Sequence, residues 1–109
     1  MSLASVPIGI QHDPGSLFEQ GELVIPGDAR RKHTAIFGTT GAGKSTLMRN
    51  MIATDIAHGV GVTVIDPHGQ LVDEILSNHV PRSRTGDMIH FNPKDPARAI
   101  PLNLLDSLP

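Results

Sequence analysis

Apolar positions open the chain in short bursts separated by proline and glycine: Val6-Pro7-Ile8-Gly9-Ile10, then Leu17-Phe18, then Leu23-Val24-Ile25 ahead of Pro26-Gly27-Asp28. Punctuation this dense predicts short strands and turns, a small β lead-in over residues 1–31. The next run, His33-Thr34-Ala35-Ile36-Phe37, is bounded by Gly38 and has the length expected of a buried parallel strand. After a glycine-rich stretch the period changes. Leu47, Met48, Met51, Ile52 and Ile56 fall on one face of a helix, with Arg49, Asn50 and Thr54 on the other. His58-Gly59 should end that helix, glycine supplying a left-handed cap and histidine standing at the negative end of the dipole. Val60 to Ile65 reads as a second strand, stopped by the turn Asp66-Pro67-His68-Gly69. Leu71, Val72, Ile75 and Leu76 then predict a short helix ending near Asn78, and Met88-Ile89-His90-Phe91 a third strand after a loop from Pro81 to Gly86.

Strands alternating with helices at this spacing indicate an α/β fold with a partial parallel sheet flanked by helices. The piece from Asn92 to Pro109 carries four prolines and an apolar Leu102, Leu104, Leu105 cluster with nothing evident to bury against. It reads as the start of a further element, so the expected organisation is the β lead-in at 1–31 and, at 32–109, the N-terminal part of an incomplete domain.

Composition narrows the function classes. At 109 residues and 11.6 kDa the chain is one small domain at most. Nine Lys and Arg against eleven Asp and Glu give a net charge of −2, so the chain as a whole has no electrostatic footprint for nucleic acid. All three aromatics are Phe, which removes the usual Tyr and Trp stacking platforms for unpaired bases. The absence of cysteine excludes disulfides, thiolate zinc sites and cysteine nucleophiles, and fits a reducing, cytoplasmic setting. No window approaches the ~18 apolar residues of a membrane span.

The chemistry concentrates in Gly38-Thr39-Thr40-Gly41-Ala42-Gly43-Lys44-Ser45, which matches G-x-x-x-x-G-K-[ST] at every fixed position. With this chain's own composition an accidental match would arise at roughly four in a thousand, and the motif also lies between a predicted strand and a predicted helix as its mechanism requires. The glycines let successive backbone N–H groups converge on a phosphate, and the helix N-terminus adds partial positive charge. Lys44 is the mobile cation for the β- and γ-phosphates and Ser45 the hydroxyl suited to Mg²⁺, which makes ATP with Mg²⁺ the expected ligand. A dinucleotide fold would place a ribose-binding acid about 20 residues on, where Asp66 stands. The glycine order here is G-x-x-G-x-G, though, and that fold gives Lys44 and Ser45 no role.

Val62-Thr63-Val64-Ile65-Asp66 has the look of an apolar strand ending in a metal-supporting Asp, but only one helix separates it from the loop. No later apolar run ends in Asp-Glu. Asp73-Glu74 falls inside the second predicted helix, where a solvated acidic face is the ordinary explanation. No catalytic residue is therefore assigned.

Taken together, Phe37-Gly38-Thr39-Thr40-Gly41-Ala42-Gly43-Lys44-Ser45-Thr46, Val64-Ile65-Asp66-Pro67-His68-Gly69, His90-Phe91-Asn92-Pro93 to Asp95 and Ile100-Pro101-Leu102-Asn103-Leu104-Leu105 resemble the HerA/FtsK-type ATPases. The likeness points most to the branch of conjugative, type IV secretion DNA-transfer ATPases and coupling proteins, and spans about residues 17 to 106. It implies a RecA-like core and a ring-forming motor, often hexameric, that hydrolyses ATP to move DNA. By that resemblance Gly41, Gly43, Lys44, Ser45 and Thr46 are nucleotide and Mg²⁺ contacts, and Asp66 and His68 belong to the rim of the nucleotide pocket.

Two departures qualify it. Gln70 stands where an acidic residue often follows Asp-Pro-His-Gly, and the family's later Asp-Glu strand, sensor residues and arginine finger have no counterpart by residue 109. The chain alone should then bind nucleotide weakly and turn over little. Arg82, Arg84 and Arg98 read as surface charges or a subunit contact. His12, His58 and His79 read as surface or capping residues, His33 as a surface corner and His90 as a satisfied interior imidazole, with no structural metal site among them. Two other classes stay open. A small-molecule kinase fragment would phosphorylate a small acceptor and carry an Arg-rich lid, and a non-catalytic interaction module with a vestigial loop would show no Mg²⁺-dependent stabilisation by ATP.

Overall fold

A computed structural model of the chain describes residues 3–12, 14–15 and 19–98. Strands β1 (Val6–His12) and β2 (Glu19–Ile25) pair antiparallel, from Val6 opposite Ile25 to His12 opposite Glu19. The register shifts between Pro7 and Gly9 and again between Ile10 and His12, so the ladder is irregular. Pro7, which has no N–H to give, is tolerated because a two-stranded sheet consists of edges. Val6 is fully buried, whereas Ile10 and Leu23 stay largely exposed, so this pair is anchored at its Val6 end.

Helix α1 (Lys44–Ala57) begins directly after the glycine-rich loop, and helix α2 (Gln70–Asn78) after Asp66-Pro67-His68-Gly69. The end of α1 follows from its sequence. Gly59 takes φ 76°, its N–H reaches the Ile56 carbonyl at 3.1 Å, and the Val60 N–H reaches the Asp55 carbonyl at 2.9 Å. That is a Schellman cap, which a residue with a Cβ would form only under strain. His58 Nδ1 donates to the Thr54 carbonyl at 2.7 Å, so the histidine caps the same end.

Leu47, Met51, Ile52 and Ile56 on α1 are half-buried, and α1 buries no residue completely. Ile75 of α2, at 5% exposure, is the other buried apolar residue of the described core. Arg49 Nη1 donates to Glu74 Oε1 at 2.5 Å and ties α1 to α2, so part of the acidic pair expected to face only solvent is engaged between helices. Residues expected to form a loop after Pro81 instead wind into a 3-10 helix, Arg82–Asp87, in which Thr85 Oγ1 donates to the Arg82 carbonyl at 2.9 Å. Short 3-10 turns also occupy Ala29–Arg31 and Pro96–Arg98.

The runs expected as parallel core strands, 33–37, 60–65 and 88–91, join no sheet among the described residues. They hold the most exposed large apolar side chains: Phe37 at 91%, Ile65 at 89% and Ile89 at 86%. The accessible surface of 9173 Å² compares with roughly 5,800 Å² for a compact monomer of this mass. Leu17-Phe18 and the Ile100 to Leu105 segment lie outside the described residues.

Candidate functional site

The glycine-rich loop is a tight backbone turn that delivers the chain into α1. Ala42 N–H donates to the Thr39 carbonyl at 3.1 Å, and Gly41 and Gly43 take φ of 81° and 89°, a region that L side chains seldom enter. Gly38 sits close to its neighbours: a Cβ there would lie 3.2 Å from Ala42 Cβ and 3.4 Å from Lys44 Cγ, a tight fit that those side chains would have to yield to. Lys44 folds back over the turn, its Nζ donating to the carbonyls of Gly38 at 2.6 Å and Thr39 at 2.8 Å. Those carbonyls hold the ammonium at the loop, within reach of an anion that would take its place as partner. Ser45 and Thr46 are exposed on the first turn of α1, and Thr40 is exposed at the tip of the loop.

The two helix N-termini make a comparison within one molecule. Both follow a glycine in the left-handed region, Gly43 for α1 and Gly69 for α2. At α2 an internal carboxylate occupies the anion position: Asp66 Oδ2 accepts the N–H groups of Leu71 at 2.8 Å and Val72 at 3.3 Å, and Oδ1 accepts that of His68 at 3.0 Å. Partial desolvation opposes ionisation of Asp66, but the backbone N–H groups of His68, Val72, Gly69 and Leu71 outweigh it and hold the carboxyl below the usual aspartate range. At α1 no side chain caps the helix and its first turn contains no acidic residue. The first amides of α1, with their share of the dipole, are left facing outward beside the Lys44 ammonium. Residues 38–46 thus fit a phosphate group: helix-start amides that no side chain caps, a Lys44 ammonium held at the loop, and a hydroxyl at Ser45 of the type that ligates Mg²⁺.

Asp66 and His68 stand apart from that loop. They line a cleft of about 700 Å³ with Ile52, Ile56, Ile89 and Phe91, and no residue of 38–46 lines it. His68 is exposed, and the Asp66 oxygens are engaged in capping. Among the described residues no group of three or more His, Cys, Asp or Glu could hold a metal ion.

Three arginine ties escaped the sequence reading. Arg30 pairs with Asp55 on α1, Arg49 with Glu74, and Arg84 Nη1 donates to the carbonyls of Ile56 at 2.9 Å and Val60 at 3.3 Å. Arg84 was expected as a surface charge or subunit contact; it instead neutralises the C-terminal end of α1. Arg82 and Arg98 are exposed. In sequence the three pairings span 24 to 28 positions, beyond the reach of any local pattern.

The profile of the family described as "Helicase HerA, central domain" matches residues 17–105, most of the chain, and so takes in the phosphate loop, both helices and the Asp66 turn. The chain belongs to the HerA central-domain family. Membership makes it part of a phosphate-loop ATPase family. Comparison with curated proteins and with solved structures gives no match. Among the described residues no helix of this HerA domain is long and apolar enough to cross a membrane.

Proposed function

We propose that the chain binds MgATP through residues 38–46 and forms the nucleotide-binding part of a DNA-translocating motor, of the kind that serves conjugation or type IV secretion. The observation that carries this reading is the contrast between the two helix starts. α2 fills its anion position with Asp66, whereas α1 presents its own beside Lys44, with no cap and no acid in its first turn. Gly41 and Gly43 shape the turn, Lys44 moves from the Gly38 and Thr39 carbonyls to the phosphates, and Ser45 and Thr46 face the nucleotide and its metal. Mg²⁺ in such a site screens charge on the phosphate oxygens, and the Ser45 hydroxyl is the donor suited to it.

In this reading the runs 33–37, 60–65 and 88–91 become strands of a RecA-like parallel sheet, and the exposed Phe37, Ile65 and Ile89 are the side chains that sheet would bury. Asp66 holds its turn by capping α2, and for Asp66 and His68 to reach the rim of the nucleotide pocket the assembled sheet must bring their cleft, which no residue of 38–46 lines here, up to the loop. The motor acts in the cytoplasm as a homo-oligomeric ring, hexameric by family likeness. With a net charge of −2, this chain is not the main source of the DNA-facing basic surface.

The reading is tested by calorimetric titration of MgATP into the protein and its Lys44→Ala variant. Loss of the ammonium should weaken binding at least tenfold, about 1.4 kcal/mol. Equal affinities would end the assignment of the loop.

A further inference from the structure

Helix α1 carries the proposed phosphate site on its first turn, yet none of its own residues is fully buried. Its orientation depends on what grips it from outside. Against β1 the packing is open: a groove of about 440 Å³ runs between Pro7 to Ile10 on one side and Leu47, Asn50, Ala53 and Thr54 of α1 on the other. Along this open groove β1 and α1 are not in close-packed contact.

Outside that groove, one guanidinium ties α1 to the segment that leads into β1. Arg30 Nη1 donates to Asp55 Oδ1 at 2.7 Å and to the Ala4 carbonyl at 3.0 Å, while Nη2 donates to Asp55 Oδ2. The two side chains are only 11% and 13% exposed, far from the surface regime in which ion pairs contribute little. The hydrogen bond with Asp55 raises the Arg30 pKa above its ordinary value against the opposing cost of burial. The backbone bound by this fork also packs against a second point. A Cβ on Gly27 would stand 1.7 Å from the Leu3 carbonyl oxygen, so residues 3–4 lie directly on the turn that leads to Arg30. Leu3-Ala4, Gly27 and Arg30 form one knot, and Asp55 is the point at which α1 is attached to it.

We propose that Arg30 is a positioning residue for the phosphate site: its fork on Asp55 and the Ala4 carbonyl fixes α1 against the segment leading into β1 and so sets where the loop amides and Lys44 stand. The inference rests on the function proposed above for residues 38–46. Asp55 lies about 16 Å along the helix axis from Lys44, and a helix tilts as a rod, so freedom at one end becomes displacement at the other. Displacement of about 1 Å in a site built from several donors is enough to cost a large factor in function.

The test is MgATP titration of the wild-type protein, Arg30→Ala, Arg30→Lys, Asp55→Asn and Lys44→Ala, well below the melting temperature, with helix content followed by circular dichroism. Arg30→Ala and Asp55→Asn should each raise Kd about 5- to 20-fold with helix content retained. Arg30→Lys should recover part of the loss, because an ammonium keeps the charge but not the fork. If Arg30→Ala does not fold, Arg30→Lys and Asp55→Asn decide the matter by the same criterion. Kd within twofold of wild type in the folded variants, even with a lowered Tm, would reduce the pair to a structural clasp and overturn the proposal while Lys44→Ala still weakened binding. Unchanged binding in Lys44→Ala would instead remove the phosphate site itself, and this inference with it.

Discussion

Replacing Arg84 with Met removes a guanidinium while keeping a stem of similar bulk, and it isolates a contact that local sequence does not suggest. In the folded chain Nη1 bridges the Ile56 carbonyl at 2.9 Å and the Val60 carbonyl at 3.3 Å, either side of the Gly59 cap. The side chain is 27% exposed, so its charge is partly desolvated at the negative end of α1. A buried charge-assisted hydrogen bond contributes ~1.5–3 kcal/mol, and a cation at a helix C-terminus ~0.3–1 kcal/mol. The longer second bond and the residual solvent access place the combined loss near ~1.5 kcal/mol. Asp87 serves as a control. Its Oδ2 is 4.0 Å from Arg84 Nε and its side chain is 75% exposed, so Asp87→Asn should cost under ~0.3 kcal/mol. Urea denaturation followed by far-ultraviolet circular dichroism measures both. Arg84→Met should lower the midpoint clearly, Arg84→Lys should recover part of the loss, and Asp87→Asn should leave the curve in place. An Arg84→Met curve superimposed on wild type, or an equal loss in Asp87→Asn, would refute the capping role of Arg84.

Two further outcomes follow from the loop and the Asp66 turn. Gly43→Ala places a Cβ at φ 89° with nothing within 4 Å, so the cost is backbone strain alone, ~1–2 kcal/mol; thermal melting should show that loss and MgATP titration a weaker Kd, and an unchanged Tm would contradict the left-handed conformation. Because the folded-state pKa of Asp66 is depressed, its capping stabilises the fold above the usual aspartate pKa of ~3.9 and is lost as pH falls through the lower folded value, so Asp66→Asn should flatten the acid limb of a Tm-against-pH profile; an identical limb in the variant would contradict the cap.

The parts of this molecule legible in the sequence are the local ones. An eight-residue loop pattern, the helical spacing from Leu47 to Ile56 and the Gly59 stop each state their structure within a few positions, and α1 and its Schellman cap stand where they indicated. The same holds for α2, whose end at Asn78 follows the Leu71 to Leu76 pattern. Asp66 was legible only in part. Its position ahead of Pro67 and Gly69 indicated a turn, but its carboxylate reaches past the N-cap glycine to the amides of Leu71 and Val72, farther than the usual adjacent cap. Arg30, Arg49 and Arg84 were not legible as ties, since a guanidinium's partner 24 to 28 positions away leaves no periodic trace. Apolar runs such as Val60 to Ile65 encode burial but not the identity of a neighbour, so strand pairing in the proposed sheet cannot be read from them.

In the proposed function an external phosphate takes the position at α1 that Asp66 takes at α2. Backbone amide NMR during a titration with MgATP observes both helix starts in one sample. The amides of Gly41 to Thr46 should shift and gain exchange protection, while those of Leu71 and Val72, already bonded to Asp66, should hold their positions. Shifts at Leu71 and Val72 equal to those at Ser45 and Thr46, or no change at the loop under saturating MgATP, would contradict the account.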